Sequence, residues 1–212
     1  MKLANHDARL QNGRRKIVSK TDALVLMIAS VAVALFTTGM TVSGLIGYTR
    51  GPVALALPVA TAHHAATGLT QGATGHFTTL EASIPELPSG PATLLAWADS
   101  LNQMGFLAVL ALVFLLAHRL RSEILFTPAS AWIVASCGAI LALCGTVGQV
   151  LDSSARSRLA EMIGVNARTP GESHIFWAHF NVAPFVVGIV LVLVAGVFQF
   201  GRGLQKDTEG LV

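Results

Sequence analysis

Charge is scarce in this chain. Asp, Glu, Lys and Arg make up 12% of its 212 residues, against ~25% in an ordinary soluble domain. That shortage excludes a disordered chain and a solvated helical rod, which both rely on charge to stay hydrated. Cysteine is rarer still. Cys137 and Cys144 are the only two, too few for the disulfide framework of a small secreted domain. They lie seven residues apart, about 10 Å along a helix, which exceeds the ~7 Å a disulfide tolerates between Cα atoms. They read as small packing residues, and a quinone-linked thiol enzyme would want two close cysteines. No catalytic motif is present. The middles of the apolar runs hold no Lys, Arg, Asp or Glu. Ion-coupled transport normally keeps such a charge at mid-membrane, so its absence argues against that function.

What is abundant is apolar sequence, 53% of the residues, gathered into long uncharged blocks. A helix needs ~20 mostly apolar residues to cross the hydrocarbon of a bilayer. Four stretches meet this: 23–48, 99–118, 130–151 and 175–200. Their runs are continuous rather than alternating, so helices are expected. The fold class is an all-α membrane protein, a bundle of four transmembrane helices. The first span follows a basic segment, as a signal peptide would, but it is longer than a ~7–15-residue signal core. It reads as a retained helix.

Basic residues set the orientation. Segment 1–22 holds Lys2, Arg9, Arg14, Arg15, Lys16 and Lys20, loop 119–129 holds Arg119 and Arg121, and tail 201–212 holds Arg202 and Lys206. Loop 49–98 holds only Arg50, and loop 152–174 holds Arg156, Arg158 and Arg168. Ten against four places both termini in the cytoplasm, with the protein multi-pass in the plasma (inner) membrane. Attraction to anionic lipid headgroups accounts for Arg14-Arg15-Lys16. The run is too short for a DNA reader, so no direct nucleic-acid binding is expected.

The outer loop 49–98 carries a weak strand signal. Val53 to Ala62 is apolar around Pro58, and Phe77 to Ile84 alternates, with Leu80, Ala82 and Ile84 on one face. Two such strands cannot stand alone. They are expected as a short β-hairpin on the outer surface, packed against the amphipathic segment 155–165. Small residues recur at four-residue spacing in the third span (Ala135 and Ala139, Gly138 and Ala142) and in the first (Gly39 and Ser43). Such faces let helices approach closely, either inside the bundle or in a homo-oligomer.

With that orientation, uncharged polar residues collect toward the outer leaflet: Thr37, Thr38, Thr41 and Ser43, then Asn102 and Gln103, Thr146 and Gln149, and His174, His179 and Asn181. Two readings stand: interfacial residues reaching headgroup water, or an outward-facing vestibule for a small ligand, lipid group or peptide. On the second reading the ligand-binding candidates are Thr41, Asn102, Gln103, Gln149, His179 and Asn181. The histidines do not make a haem site, because His118 and His179 fall on opposite sides of the bilayer. His174 and His179 lie about 140° apart around a helix. His63, His64 and His76 sit in the outer loop without a recurring ligand spacing. No metal ligand set and no cofactor is assigned, although imidazoles accept zinc or copper and titrate near pH ~6.5.

Two further segments carry a resemblance. In the inner turn, Phe126 and Thr127 precede Pro128, with Thr127 suited to an N-cap and Pro128 to the first helical position. At the C-terminus the apolar helix passes into a charged end bearing Phe198, Gly201, Leu204, Asp207, Glu209 and Val212. These features, in this order on four spans, resemble a bacterial membrane family, domain-of-unknown-function family 2975. The chain departs from that pattern at Ala129 to Val134, where the family has an Arg-containing stretch, and in its longer N-terminal segment. The family has no assigned activity, and its genes often neighbour a small helix-turn-helix regulator. The resemblance implies a non-enzymatic sensor or regulatory partner of such a cytoplasmic protein, docked on the turn and on a tail containing Arg202, Lys206, Asp207 and Glu209. The alternatives are an accessory subunit of a larger membrane complex and, more remotely, a transport or redox protein.

Overall fold

An apolar segment without charge satisfies its backbone hydrogen bonds internally as a helix when water is not at hand. The computed structural model describes residues 20–59, 69–121, 128–166 and 180–209. Among them are four helices: α1 (Lys20–Arg50), α2 (Ser89–Arg121), α3 (Pro128–Met162) and α4 (Ala183–Glu209). All four are long and apolar enough to cross a membrane. Between α1 and α2, strand β1 (Val53–Pro58) pairs antiparallel with β2 (Thr79–Ile84). This is the all-α bundle with a small hairpin that the apolar runs predict.

Within α1 the hydroxyls are satisfied locally. Ser30 donates to the Met27 carbonyl at 2.8 Å, Thr38 to the Ala34 carbonyl at 2.7 Å and Thr41 to the Thr37 carbonyl at 3.0 Å. Such bonds let Ser and Thr sit in an apolar helix without an orphaned donor.

The helices touch in chain order: α1 on α2, α2 on α3, α3 on α4. Among the described residues no extensive contact joins α1 to α4. Helix α3 therefore has a neighbour on each side and is the most buried of the four, while α1 and α4 are the least. Glycine makes the α3–α4 seam possible. A Cβ on Gly188 would lie 2.5 Å from the Gly138 carbonyl oxygen and 2.7 Å from Ala142 Cβ. A Cβ on Gly138 would lie 2.7 Å from the Gly188 carbonyl oxygen, and one on Gly145 would lie 2.7 Å from Pro184 Cβ. The Gly138–Ala142–Gly145 face is thus taken up inside the chain, backbone against backbone. Gly39 differs, since a Cβ there meets nothing within 4 Å.

Toward the chain termini, Leu112, Val134, Cys137 and Ala195 form a buried cluster flanked by Leu116, Ile133, Leu191 and Phe198. Cys137 packs inside it, and neither Cys137 nor Cys144 is in a disulfide. At that end the Arg119 guanidinium donates to the buried Ser130 hydroxyl, joining α2 to α3. Pro128 opens α3 as expected, while Thr127 lies outside the described residues.

The helices overrun the expected spans. Helix α2 begins at Ser89, ten residues before the expected start at 99, and α3 ends at Met162, eleven residues past the expected end at 151. The reason is an apolar stripe that continues past the membrane segment: Leu95 and Ala98 on α2, and Ala155, Leu159 and Ala160 on α3, are all 0–1% exposed. Strand β1 drops Leu55 and Leu57 onto this stripe, and Ala82 and Ile84 of β2 join them. The register Leu55↔Ala82 and Leu57↔Leu80 puts alternate residues on the helix side. The other edge of β1 is gripped by α3 and the turn after it. Arg156 Nη1 donates to the Ala56 carbonyl at 3.0 Å and Asn166 Nδ2 to the Pro58 carbonyl at 2.9 Å. An edge that would otherwise offer free carbonyls is closed.

Helix α3 then stops on Gly164, whose φ of +80° suits glycine. The Gly164 N–H donates to the Glu161 carbonyl and the Val165 N–H to the Ala160 carbonyl, each at 3.1 Å. These two bonds form a Schellman cap, which turns the chain back toward β1. The last helix starts later than expected. Residues 180–182 are not helical and α4 opens at Ala183, with Pro184 in its first turn. The remainder of the expected start, 175–179, lies outside the described residues.

Two outcomes test this packing. Gly188→Val should force α3 and α4 apart at a cost of about 1–3 kcal/mol, read as a lower melting temperature in mild detergent. Gly39→Val should leave the melting temperature nearly unchanged. Leu57→Ala, which empties a fully buried site, should cost about 2–5 kcal/mol. In hydrogen exchange it should deprotect the amides of 53–58 before those of the helices.

Candidate functional site

The polar residues picked from the sequence fall on three successive helix seams. On the α1–α2 seam, Gln103 Nε2 donates to the hydroxyls of Thr37 and Thr38, each at 3.1 Å, and the Thr41 hydroxyl lies 3.2 Å from Gln103 Oε1. One side-chain amide thus ties three threonines of α1 to α2. On the α2–α3 seam, Asn102 closes over Gly148, where a Cβ would lie 2.8 Å from Asn102 Oδ1. On the α3–α4 seam, the Gln149 amide pairs with the Asn181 backbone. Its Oε1 accepts from the Asn181 N–H at 2.6 Å and its Nε2 donates to the Asn181 carbonyl at 3.0 Å. Asn181 Oδ1 in turn accepts from the Ala183 N–H at 3.0 Å, satisfying a donor that the helix start leaves open.

These bonds have a physical cause in the sequence. An amide has both donors and an acceptor, and in an apolar seam each must find a partner in the protein. Thr41, Gln103, Gln149 and Asn181 therefore spend polar atoms on holding neighbouring helices together. His179 lies outside the described residues. Arg202, Lys206, Asp207 and Glu209 lie on the last turns of α4. Among the described residues no three His, Cys, Asp or Glu side chains converge as a metal site.

A charged cluster lies closer to the hairpin, and the sequence reading did not assemble it. The Tyr48 hydroxyl, at the end of α1, donates to Asp99 Oδ2 on α2 at 2.6 Å. On α3, Arg156 Nε meets both carboxylate oxygens of Asp152, at 2.9 and 2.8 Å. Arg156 reaches β1 with its other arm and exerts its field on the Tyr48–Asp99 pair. One bond thereby ties α1 to α2, and at a similar level Arg156 ties α3 to the hairpin. One signal was legible: Asp152 and Arg156 have the i,i+4 spacing of a helical ion pair. It went unread because 152–174 was expected as loop.

Beside this cluster lies a half-open groove of about 960 Å³, the size range of small-molecule sites. The end of α1 supplies Leu45, Tyr48 and Arg50; the chain before α2 supplies Pro85, Glu86 and Leu87; and α2 supplies Thr93, Trp97 and Ser100. None of Thr41, Asn102, Gln103, Gln149 or Asn181 lines it. The deeper part of the groove is mostly apolar, with Ser100 as its polar residue, and the charged Arg50 and Glu86 lie nearer the hairpin. Neither Arg50 nor Glu86 makes a hydrogen bond or ion pair with a described residue. Trp97 is 60% exposed, an aromatic in the position of a membrane-interface belt.

No family model, curated protein or solved structure matches this chain.

The Tyr48–Asp99 bond is the most testable element of the cluster. Tyr48→Phe should cost about 1.5–3 kcal/mol, the range for a hydrogen bond to a charged group, and lower the melting temperature in mild detergent. In an Asp99→Asn background the same change should cost less, giving a non-zero coupling in a double-mutant cycle.

Proposed function

We propose that this chain is a non-enzymatic integral membrane protein that senses at its hairpin end and reports through the charged end of α4. The carrying observation is the continuity of α4. It runs unbroken from Ala183, beside the Gln149 clamp, to Glu209, beyond its apolar stretch. Those 27 residues span about 40 Å, more than the ~30 Å of a bilayer core. A change in how α3 holds the first turn of α4 would move the charged end as one body, since a helix transmits displacement along its axis. Backbone contact at Gly138 and Gly188 gives α4 a defined seat on α3, from which it can shift between discrete positions. The basic-residue count supports a cytoplasmic charged end, and the turn-and-tail resemblance supports a helix-turn-helix protein as the partner there.

The test is a truncation. Removing 202–212 should abolish co-purification of the helix-turn-helix partner in mild detergent while membrane insertion stays intact. Retention of that partner by the truncated chain would overturn the docking role of the tail.

A further inference from the structure

We propose that the groove between α1 and α2 binds the headgroup of a zwitterionic phospholipid of the phosphoethanolamine class. The proposal deepens the sensor reading, on which it rests for placing the hairpin end at the membrane surface, by naming what that end contacts.

Position comes first. Arg50 ends α1, and Leu45 lies five residues below it, about 7.5 Å along the helix. Gln103 lies six residues deeper on α2 than Trp97, about 9 Å. The groove therefore sits just above the Thr–Gln seam, where the helices leave their most apolar stretch and Trp97 stands exposed. It is half open, so a molecule anchored in the bilayer can enter from the side. Polarity runs the right way for an amphiphile. Leu45, Ala96 and Trp97, with the Ser100 hydroxyl, line the membrane-ward part, whereas the charged pair Arg50 and Glu86 and Ser89 lie toward the hairpin.

Charge selects the headgroup. The groove carries one guanidinium, Arg50, and the carboxylate of Glu86, neither of them satisfied by a described residue. Guanidinium matches a phosphate with paired N–H donors. A carboxylate accepts the N–H donors of a primary ammonium. A purely anionic headgroup would meet Arg50 but be repelled by Glu86. A quaternary ammonium would have no N–H to give Glu86. Of these three headgroup types, only phosphoethanolamine satisfies both.

Native mass spectrometry of the full chain in mild detergent, titrated with phosphatidylethanolamine, phosphatidylcholine or phosphatidylglycerol, reads this directly. Phosphatidylethanolamine should be retained about five- to tenfold better than the other two, with the two charge-assisted bonds weakened by partial exposure. Arg50→Gln and Glu86→Gln should each erase the preference. Both side chains are exposed and make no bond to a described residue, so the variants should keep the wild-type melting temperature. Trp97→Ala should weaken retention of all three lipids without changing their order. Equal retention of the three lipids, or an unchanged preference in both charge variants, would overturn the proposal. Soluble phosphoethanolamine competing as well as the lipid would also overturn it, because the apolar part of the groove would then contribute nothing. Lost lipid preference with tail-dependent partner capture intact would leave the sensor reading standing, and the reverse result would refute only that reading.

Discussion

Helix α3 is 35 residues long, about 52 Å, whereas the hydrocarbon of a bilayer takes ~30 Å. The excess cannot stand bare in water, because Ala155, Leu159 and Ala160 continue its apolar stripe. It has to be covered, and what covers it is α2's own early start at Ser89 and the hairpin. Every feature at that end follows from this need. Leu55 and Leu57 are buried because α3 offers them a surface. The edge of β1 is closed because Arg156 and Asn166 project from α3 and the turn that ends it. The groove lies where the chain leaving β2 passes the end of α1 to enter α2.

Polar atoms do two kinds of work in this molecule. In the apolar seams, Gln103 and Gln149 act as interhelical clamps, each tying a neighbouring helix or its start by more than one bond. Nearer the hairpin, the Tyr48–Asp99 bond ties α1 to α2, and Arg156, paired with Asp152 on its own helix, ties α3 to β1. The two levels lie about two turns apart on α1 and stiffen the same end of the bundle. Arg50 and Glu86 stand apart because neither serves this scaffold. Polar groups left over from structure, beside an apolar groove, are what a ligand site needs.

Much of the fold is legible in the sequence. Four uncharged apolar runs are enough to require helices, because the backbone has no other way to satisfy itself in lipid. The alternation around Leu80, Ala82 and Ile84 was enough for a strand, and the amphipathic 155–165 segment for its support. The site was less legible for a specific reason. Thr41 with Gln103, and Gln149 with Asn181, were chosen because polar residues at similar depth tend to converge. They do meet, but pairwise on separate seams, since a clamp needs only two helices. Tyr48 and Asp99 are 51 residues apart, and Arg50 and Glu86 are 36 apart, so no spacing rule could join them.

The sequence by itself determined that this protein has four helices able to cross a membrane, where their uncharged stretches lie, and that a hairpin interrupts the first long connection. Those features depend on composition and local periodicity, which a chain carries without reference to its partners in space. Only the tertiary structure decided how far α2 and α3 run beyond the apolar spans, which small residues serve the α3–α4 seam, and that a cation and an anion without described partners share one groove. Each of these depends on which distant side chain or backbone atom fills the space opposite, and chain order does not specify that neighbour.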